Sequence, residues 1–439
     1  MSVEKQKILI IGSGGGREHA LGWKISQSPS CGEIFFASGN AGTAKIGTNL
    51  EIKVEDISSL IEFARTEKID LTLATSDNVL AFGMVDKFRK AGLRIWGPTK
   101  SAAQIEWSKA FSKDFMRRHN LPTARFQTFT DFEKAKEYVQ NHSLPIVIKA
   151  DGLAFGKGVI IAQNIEEAEN ALKEIMVTKI FGDSGKEVVV EEYMEGPEIS
   201  IHALSDGKNY KIFPCSQDHK RIGDNDTGPN TGGMGVIGPL PFVKKEMMEK
   251  IEKEIIAPTF QAMRDDGTPF EGILYPSLML TKDGPRIIEF NMRFGDPECQ
   301  VYMRLLDSDL LEILNACVDG KLNEKEIKWR SGFACNIALA SGGYPGNYKK
   351  GEIISGISEA EKNKDIVIFH AGTKNINAIT PGLPAKALAT AGGRVLGVSA
   401  MGKSLEDALS KTYKAIGMIS FEGMQYRKDI GKKALELLK

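Results

Sequence analysis

The chain has 439 residues, 42% hydrophobic and 26% charged, enough for two to four domains with full-sized cores. Lysine plus arginine equals aspartate plus glutamate at 57 each, so no global field recruits nucleic acid or a membrane surface, and an anionic ligand must be held by local clusters. The five cysteines (Cys31, Cys215, Cys299, Cys317, Cys335) are scattered without a C-x-x-C pair, which argues against a disulfide framework or zinc site and fits a reducing cytoplasm. Met1–Gln6 is polar and runs straight into a strand, so no signal peptide is expected, and no apolar run is long enough to span a bilayer.

Lys7–Ile11 (KILII) has the continuous apolar character of a strand buried on both faces of a parallel sheet. It enters Gly12–Gly16 and then a helical stretch, Arg17–Trp23, so the turn either presents backbone amides to a phosphate or is purely structural. The next strand candidate, Ile34–Ala37, ends in Ser38–Gly42 without the acid that a dinucleotide fold places on a ribose, and NAD is discounted. Strand signals at Ile69–Ala74 and Leu93–Trp96 alternate with helical ones around Ile57–Glu67 and Phe82–Ala91. That alternation predicts an open parallel sheet with right-handed crossovers. Ser101–His119 reads as a helix leading out of this first domain.

A different texture follows. Thr130–Glu133 and Asn164–Glu167 have capping-box spacing ahead of helices. Between them, Pro145–Gln163 (PIVIKADGLAFGKGVIIAQ) places two β runs around a glycine turn, which predicts a β-hairpin. Gly152, Gly156 and Gly158 allow close backbone approach, and Lys149 and Lys157 add positive charge. Such a loop suits a polyphosphate, although an ordinary hairpin with a flexible tip is the plainer alternative. It is not a Walker A loop, since the spacing is wrong and a strand follows. The strand Glu187–Tyr193 turns acidic at its end. There Glu191, Glu192, Tyr193 and Met194 either set backbone groups against a purine edge, with Glu198 on the ribose, or form a solvent-facing terminus. Gln217–Gly235 is a long polar segment without periodicity, functional or disordered.

Two further strands, Gly272–Leu280 and Arg286–Phe290, flank a Lys282-Asp283-Gly284 turn. Residues two apart on a strand face one side, so Glu289, Asn291 and Arg293 form a row. A carboxylate beside an amide oxygen suits Mg²⁺, and Arg293 could hold a carboxylate or phosphate; a structural Glu289–Arg293 ion pair is the alternative. Asp296 and Glu298 add two acids just beyond. From Trp329 the strand signals Phe333–Ala340, Asp365–His370 and Gly393–Ala400, with a helix at Leu405–Ile416, predict a small closing domain. The fold expected is a multidomain α/β and α+β chain: an open parallel sheet over 1–112, a mixed central domain over 113–328 with a subdomain near 124–195, and a strand-rich domain over 329–439.

The motifs GREHALGW (Gly16–Trp23), SGNAGTA (Ser38–Ala44), SKAFSKDF (Ser108–Phe115), VIKADGLAFGKGV, SQDHKRIGDNDTGPNTGGMG (Ser216–Gly235), EFNMRFGDPE (Glu289–Glu298), SGGYPG, FHAGT, GGRVLGV and YRKDIG resemble the glycinamide ribonucleotide synthetases, the phosphoribosylamine–glycine ligase family, essentially end to end. The resemblance implies a preATP-grasp domain, a central ATP-grasp domain whose flap carries the glycine loop, and a C-terminal domain. It further implies ATP-dependent ligation of glycine to 5-phosphoribosylamine through glycyl phosphate, with magnesium or manganese, in a cytoplasmic monomer or weak homodimer. On that reading Lys109, Lys149 and the Asp151–Gly158 loop bind phosphates, Glu191 to Met194 frame adenine, and Glu198 holds the ribose. Glu289 and Asn291 ligate the metal. Asp218 and Arg293 hold the two ends of glycine with Lys220 beside them, and the glycine loop and Gln217–Gly235 act as lids. Gly15, Gly16, Arg17, Glu18, the Gly39-Asn40-Ala41-Gly42 turn, Gly295 and Asp296 face the phosphoribosylamine. The first turn has one glycine more than the family's usual pattern, Thr75–Leu80 replaces a proline-containing turn, and Gly272–Leu280 carries no acid at its centre. A related ATP-grasp carboxylate–amine ligase would lack SQDHKR, and a non-catalytic nucleotide-binding module would have no need of Lys149, Glu289, Asn291 and Arg293 together.

Overall fold

The computed structural model describes residues 4–152, 158–377 and 386–438. The strand Gln6–Ile11 lies at the centre of a five-stranded parallel sheet, with Cys31–Ala37 and Thr48–Asn49 on one side and Leu71–Ala74 and Ile95–Trp96 on the other. Ile8 to Ile11 are fully buried, as expected for a strand covered on both faces. The strand order reverses at this central strand, so the turn Gly12–Gly15 opens at the topological switch point, where such sheets bind ligands. Two features depart from the sequence reading. Thr48–Asn49 is a short edge strand, and part of Thr75–Leu80 is helical, since Asp77–Ala81 forms a turn of helix after Ser76.

Four antiparallel strands form the flap, in the order Phe126–Phe129, Val188–Glu192, Ile146–Ala150, Val159–Ala162. Helices Phe132–Gln140 and Ile165–Leu172 belong to this unit, whose own core includes Val139, Ile146, Ile148, Leu172, Val188 and Val190. Asn164 caps the second helix by accepting from the Glu167 N–H. At the first helix the cap is Asp131, which accepts from the Lys134 N–H, and not Thr130. The predicted hairpin is present, with Ile146 opposite Ala162 and Lys149 opposite Val159.

The rest of the central region is a second antiparallel sheet. Its long strand Glu271–Thr281 pairs with Gly284–Asn291, Glu198–Ser200 and Ala203–Asp206, and Tyr210–Ile212 lies outermost. That outermost strand ends at Ile212, leaving Ser216 in a single bridge to Ser200. The largest correction concerns Gln217–Gly235, which is neither disordered nor a loose lid. Gln217–Asp218 pairs with Gly235–Gly238, and these strands extend the C-terminal sheet beside Phe333–Ala340, Arg394–Gly402 and Ile366–His370. Between them Arg221–Gly223 and Thr227–Asn230 form a hairpin. The physical reason lies far along the chain: Arg427 donates to Asp226 and Asp429, and the Asn225 and Lys428 amides reach Asp429 and Asp224.

Candidate active site

The strand Gly284–Asn291 sets Glu289 and Asn291 side by side, with Arg293 just beyond its end. Burial alone would raise the Glu289 carboxyl, but Lys220, Lys149, Lys109 and Arg293 around it hold it below the ordinary glutamate value. The row is therefore one carboxylate among four cations, a setting for a polyanion. Arg293 is not paired with Glu289. It reaches Asn291 Oδ1 at 3.1 Å and the buried Glu106 at 2.9 Å. Glu106 also accepts the Met292 N–H at 2.9 Å, so it fixes both the side chain and the backbone of this corner.

Lys149, one residue before the end of its strand, is buried, donating to the Ile288 carbonyl at 3.2 Å and lying 3.0 Å from Glu191. The opposite oxygen of Glu191 is 3.2 Å from Lys113, whose ammonium burial lowers to about 8 against the pull of Glu191. Glu191 is 3% exposed. It is a buried bridge between two lysines, so its side chain is closed to a ligand and any contact expected of this residue falls to its backbone. Next to it, the Glu192 carboxylate is taken by Arg125 at 2.7 Å and Arg286 at 2.9 Å, leaving only its backbone for a purine. Tyr193 is 40% exposed and Met194 is buried. Beyond them, Glu198 receives the Lys220 ammonium, which also lies 4.0 Å from Glu289.

The root of the glycine tongue is latched to the start of helix Lys109–Arg118. Asp151 accepts from the Ala110 N–H at 2.9 Å and the Ser108 hydroxyl at 3.2 Å, and Lys109 donates to the Gly152 carbonyl at 3.0 Å. Gly152 has φ +86°, a left-handed conformation that glycine adopts without strain. Gly158 closes the turn by accepting from the Ala150 N–H. Gly156 and Lys157 lie outside the described residues. The tongue root thus stands over the Glu289 strand, with Lys149 tied to both.

Asp218, on the strand that joins the C-terminal sheet, faces the same region. Burial and the nearby Glu298 carboxylate push its carboxyl well above the ordinary aspartate value, against the pull of Lys220. Glu298 is buried and accepts from Tyr275 at 2.6 Å and Ser200 at 3.2 Å. Gly295 has no room for a side chain, because a Cβ there would sit 2.1 Å from Glu298 Oε2.

At the junction of the three regions, the Asp296 carboxylate accepts from the Arg17 N–H at 3.3 Å and Gln300 at 2.8 Å, and lies 3.5 Å from Arg394. Arg394 also donates to the Gly232 and Gly233 carbonyls at 2.6 and 3.1 Å. The Gly15 and Gly16 turn packs here, since a Cβ on Gly15 would meet Asp296 at 2.9 Å and one on Gly16 would meet Gln300 at 2.4 Å. The extra glycine, Gly14, takes φ +70° against the carbonyl of Ser38. Glu18, expected to face a substrate, is fully buried. Its carboxylate accepts the Gly15 N–H at 2.7 Å, Thr75 at 2.7 Å and Arg17 at 2.9 Å, so it braces the turn. Arg17 is also buried, its guanidinium on Glu18 and the Phe294 carbonyl. Asn40 ties the Gly39–Gly42 turn to the Gly14 and His370 carbonyls, and the Ala41 N–H reaches Thr373. Glu106, Lys113 and Arg394 were not singled out from the sequence. Arg394 lies inside GGRVLGV, but no local pattern distinguishes it from a surface arginine.

Among the described residues, no group of three or more His, Cys, Asp or Glu side chains is placed to hold a metal. Glu289 and Asn291 offer two hard oxygen ligands, which fits a divalent cation that shares phosphate oxygens and water. No helix of the described residues is long and apolar enough to cross a membrane.

A flap hairpin whose root is latched beside a carboxylate–amide pair ringed by lysines, between two antiparallel sheets and beside a parallel one, defines an ATP-grasp ligase. Three family models match in succession: the N domain of phosphoribosylglycinamide synthetase over residues 6–106, its ATP-grasp (A) domain over 107–299 and its C domain over 334–433. The chain is 48% identical over 433 residues to the phosphoribosylamine–glycine ligase of Vibrio parahaemolyticus, covering 98% of each. It is 48% identical over 432 residues to that of Yersinia pestis, covering 98% of this chain and 99% of the relative. The crystal structure of the Thermotoga maritima phosphoribosylamine–glycine ligase superposes with TM-score 0.83 at 33% identity, covering 96% of this chain and 99% of that one. A Campylobacter jejuni biotin carboxylase, at 15% identity, TM-score 0.70 and coverage of 96% and 93%, shares the fold. The chain belongs to the phosphoribosylglycinamide synthetase family.

Proposed function

We propose that this cleft joins glycine to 5-phosphoribosylamine in two steps and that the residues above divide the work. The overall activity is that of the family, an ADP-forming ligase of purine biosynthesis that uses ATP and a divalent metal. In the first step the glycine carboxylate attacks the γ-phosphorus of ATP, releasing ADP and leaving glycyl phosphate. In the second, the ribosylamine nitrogen attacks the carbonyl carbon, phosphate departs, and the nitrogen loses a proton. Neither step needs a protein nucleophile; positioning, charge neutralisation and exclusion of water from the mixed anhydride do the work.

Lys149, Lys109 and the loop from Asp151 to Gly158 hold the phosphates, backbone groups of Glu192 to Met194 meet the adenine edge, and Glu198 takes the ribose. Glu289 and Asn291 would hold the divalent metal, Mg²⁺ or Mn²⁺, which would supply positive charge against the phosphates. Arg293 and Asp218, with Lys220 between them and the nucleotide, receive the carboxylate and ammonium of glycine. The turns Gly15–Arg17 and Gly39–Gly42, with Gly295 and Asp296, line the end for the phosphoribosylamine. The reading keeps the domain division at residues 1–112, 113–328 and 329–439, and a cytoplasmic monomer or weak homodimer that engages neither nucleic acid nor membrane.

What supports this reading is one observation: Lys220, 4.0 Å from Glu289, Lys149, on the Ile288 carbonyl at 3.2 Å, and Arg293, on Asn291 at 3.1 Å, converge on the one strand that carries the carboxylate–amide pair. The test is phosphate release with Mg-ATP, glycine and freshly made phosphoribosylamine, each omitted in turn. Release should require all three. Release that ignores glycine would exclude the ligase mechanism.

A further inference from the structure

Lys220 occupies a position that the two-step scheme does not explain. Its ammonium donates to Glu198 and stands 4.0 Å from Glu289, so one cation bridges the acid assigned to the ribose and the acid assigned to the metal. Both acids are about a third exposed, with side-chain values of 34% each, so they open to the cleft. The backbone beneath Lys220 is fixed: its carbonyl accepts both the N–H and the hydroxyl of Thr231 at 2.8 Å, and the neighbouring His219 is pinned by the Gly235 carbonyl and the Gly431 N–H. The side chain, with its flexible four-carbon stem, is the part free to move.

A ribose that hydrogen-bonds Glu198 and a divalent cation on Glu289 compete with that ammonium for the same oxygens. Like charges a few ångströms apart repel, so metal and ammonium do not share Glu289 without cost. Asp218 lies two residues back along the chain, toward the end assigned to glycine. We propose that Lys220 is a resident, displaceable cation: it bridges Glu198 and Glu289 until nucleotide and metal take those acids, and then turns toward the glycine end of the cleft. Its departure couples the two substrate sites, since the arriving charge favours the glycine carboxylate and the γ-phosphate it attacks. By linkage, nucleotide raises glycine affinity and glycine raises nucleotide affinity by the same factor.

This inference rests on the assignment of Glu198 to ribose and Glu289 to metal, and the test separates the two. Mn²⁺ binding to the full-length protein without nucleotide is followed by electron paramagnetic resonance, and adenosine binding by calorimetry, in the unaltered protein and in Lys220→Met and Lys220→Arg. Thermal unfolding confirms that each variant is folded. Lys220→Met should bind Mn²⁺ and adenosine at least tenfold more tightly than the unaltered protein, and Lys220→Arg should not. Glycine affinity should rise with a non-hydrolysable Mg-ATP analogue in the unaltered protein and fail to rise in Lys220→Met. Unchanged Mn²⁺ and adenosine affinities in a folded Lys220→Met variant would overturn the displaceable cation. If Lys220→Met tightens Mn²⁺ binding but adding Glu289→Gln does not weaken it again, the displaced cation stands and the metal assignment falls.

Discussion

Arg427 donates to Asp226 at 2.7 Å across 201 residues of sequence, from the C-terminal tail to the polar hairpin that follows Lys220. The arginine side chain is 1% exposed, and a second carboxylate, Asp429, accepts from it at 2.7 and 2.8 Å. The tail thereby holds the segment that carries Asp218 and Lys220.

Arg427→Met should loosen that segment and leave two carboxylates without their cation. Breaking a buried pair costs about 3–5 kcal/mol, and the 39% exposure of Asp226 lets water recover part of that, so about 1–3 kcal/mol is expected. Thermal unfolding measures the loss. Because misplacement of a positioning group is felt at the reacting atoms, kcat/KM for glycine should fall on the order of tenfold or more, with nucleotide binding little changed. A variant with the unaltered protein's melting temperature and glycine kinetics would show that the tail does not position the loop.

Stability should depend on pH through four buried histidines. Burial, with Lys45 beside His19, lowers His19 to about 3; burial with His19 beside it lowers His370 to about 3; burial and Arg427 lower His219 to about 4; burial holds His202 well below 6.5. In three of them a ring nitrogen accepts a backbone N–H: His19 from His370 at 2.8 Å, His202 from Gly295 at 3.2 Å, His219 from Gly431 at 3.1 Å. A proton added there would face a donor. With folded values below the unfolded 6.5, the unfolded chain binds more protons as pH falls, so stability is fully present above pH 6.5 and is lost below it. The loss extends to about pH 4 for His219 and about pH 3 for His19 and His370. His19→Asn, which keeps an acceptor for the His370 N–H, should flatten the dependence between pH 6 and 5 by about 1.4 kcal/mol per pH unit. Denaturant melts at both pH values test it; an unchanged slope would mean that His19 charges freely in the folded protein.

The parallel sheet and the flap hairpin were legible because their strands carry dense β-branched runs, Ile8 to Ile11 and Ile146 to Ile148, between glycine turns. The row Glu289, Asn291, Arg293 was legible because strand periodicity alone places those side chains together. The strand Gln217–Asp218, paired with Gly235–Gly238, and the hairpin of Arg221–Gly223 with Thr227–Asn230 were not, since their residues are polar and the hairpin is held by the distant Arg427 tail, a contact that no local pattern encodes. The alternative of a Glu289–Arg293 ion pair failed for a similar reason. Glu106, which takes Arg293, lies in the short helix Gln104–Trp107, far back along the chain, and no local pattern marks it as the partner. Glu18 is placed at the substrate by the family resemblance, and Glu191 by its position at a strand end; their carboxylates are instead enclosed by Thr75 and by Lys113 and Lys149.

Chelation of divalent metal should abolish phosphate release, and Mg²⁺ or Mn²⁺ should restore it. Glu289→Gln keeps the shape and removes the charge, so turnover should fall on the order of 10²–10³-fold. Because Lys109, Lys149 and Lys220 then lack that counter-charge, ADP affinity without metal should hold or rise. Full activity in Glu289→Gln would remove this residue from the metal site.

Glu106→Gln tests whether Arg293 is a preorganised receptor. One carboxylate oxygen of Glu106 lies 2.9 Å from the Arg293 guanidinium and the other accepts the Met292 N–H at 2.9 Å, so both oxygens face donors. An amide cannot satisfy both: whichever way it is turned, its NH₂ meets a donor, and one buried group loses its partner. Burial pushes the Glu106 carboxyl upward, and the Arg293 guanidinium beside it pulls the other way. With the brace weakened, Arg293 is held only by Asn291 at 3.1 Å and a long contact to the Phe294 carbonyl at 3.5 Å. The glycine KM should rise about ten- to a hundredfold while the ATP KM moves little, since Arg293 is assigned to the glycine carboxylate and not to the phosphates. If the ATP KM rises as much as the glycine KM, Arg293 serves the phosphates and the division of labour along this strand must be redrawn.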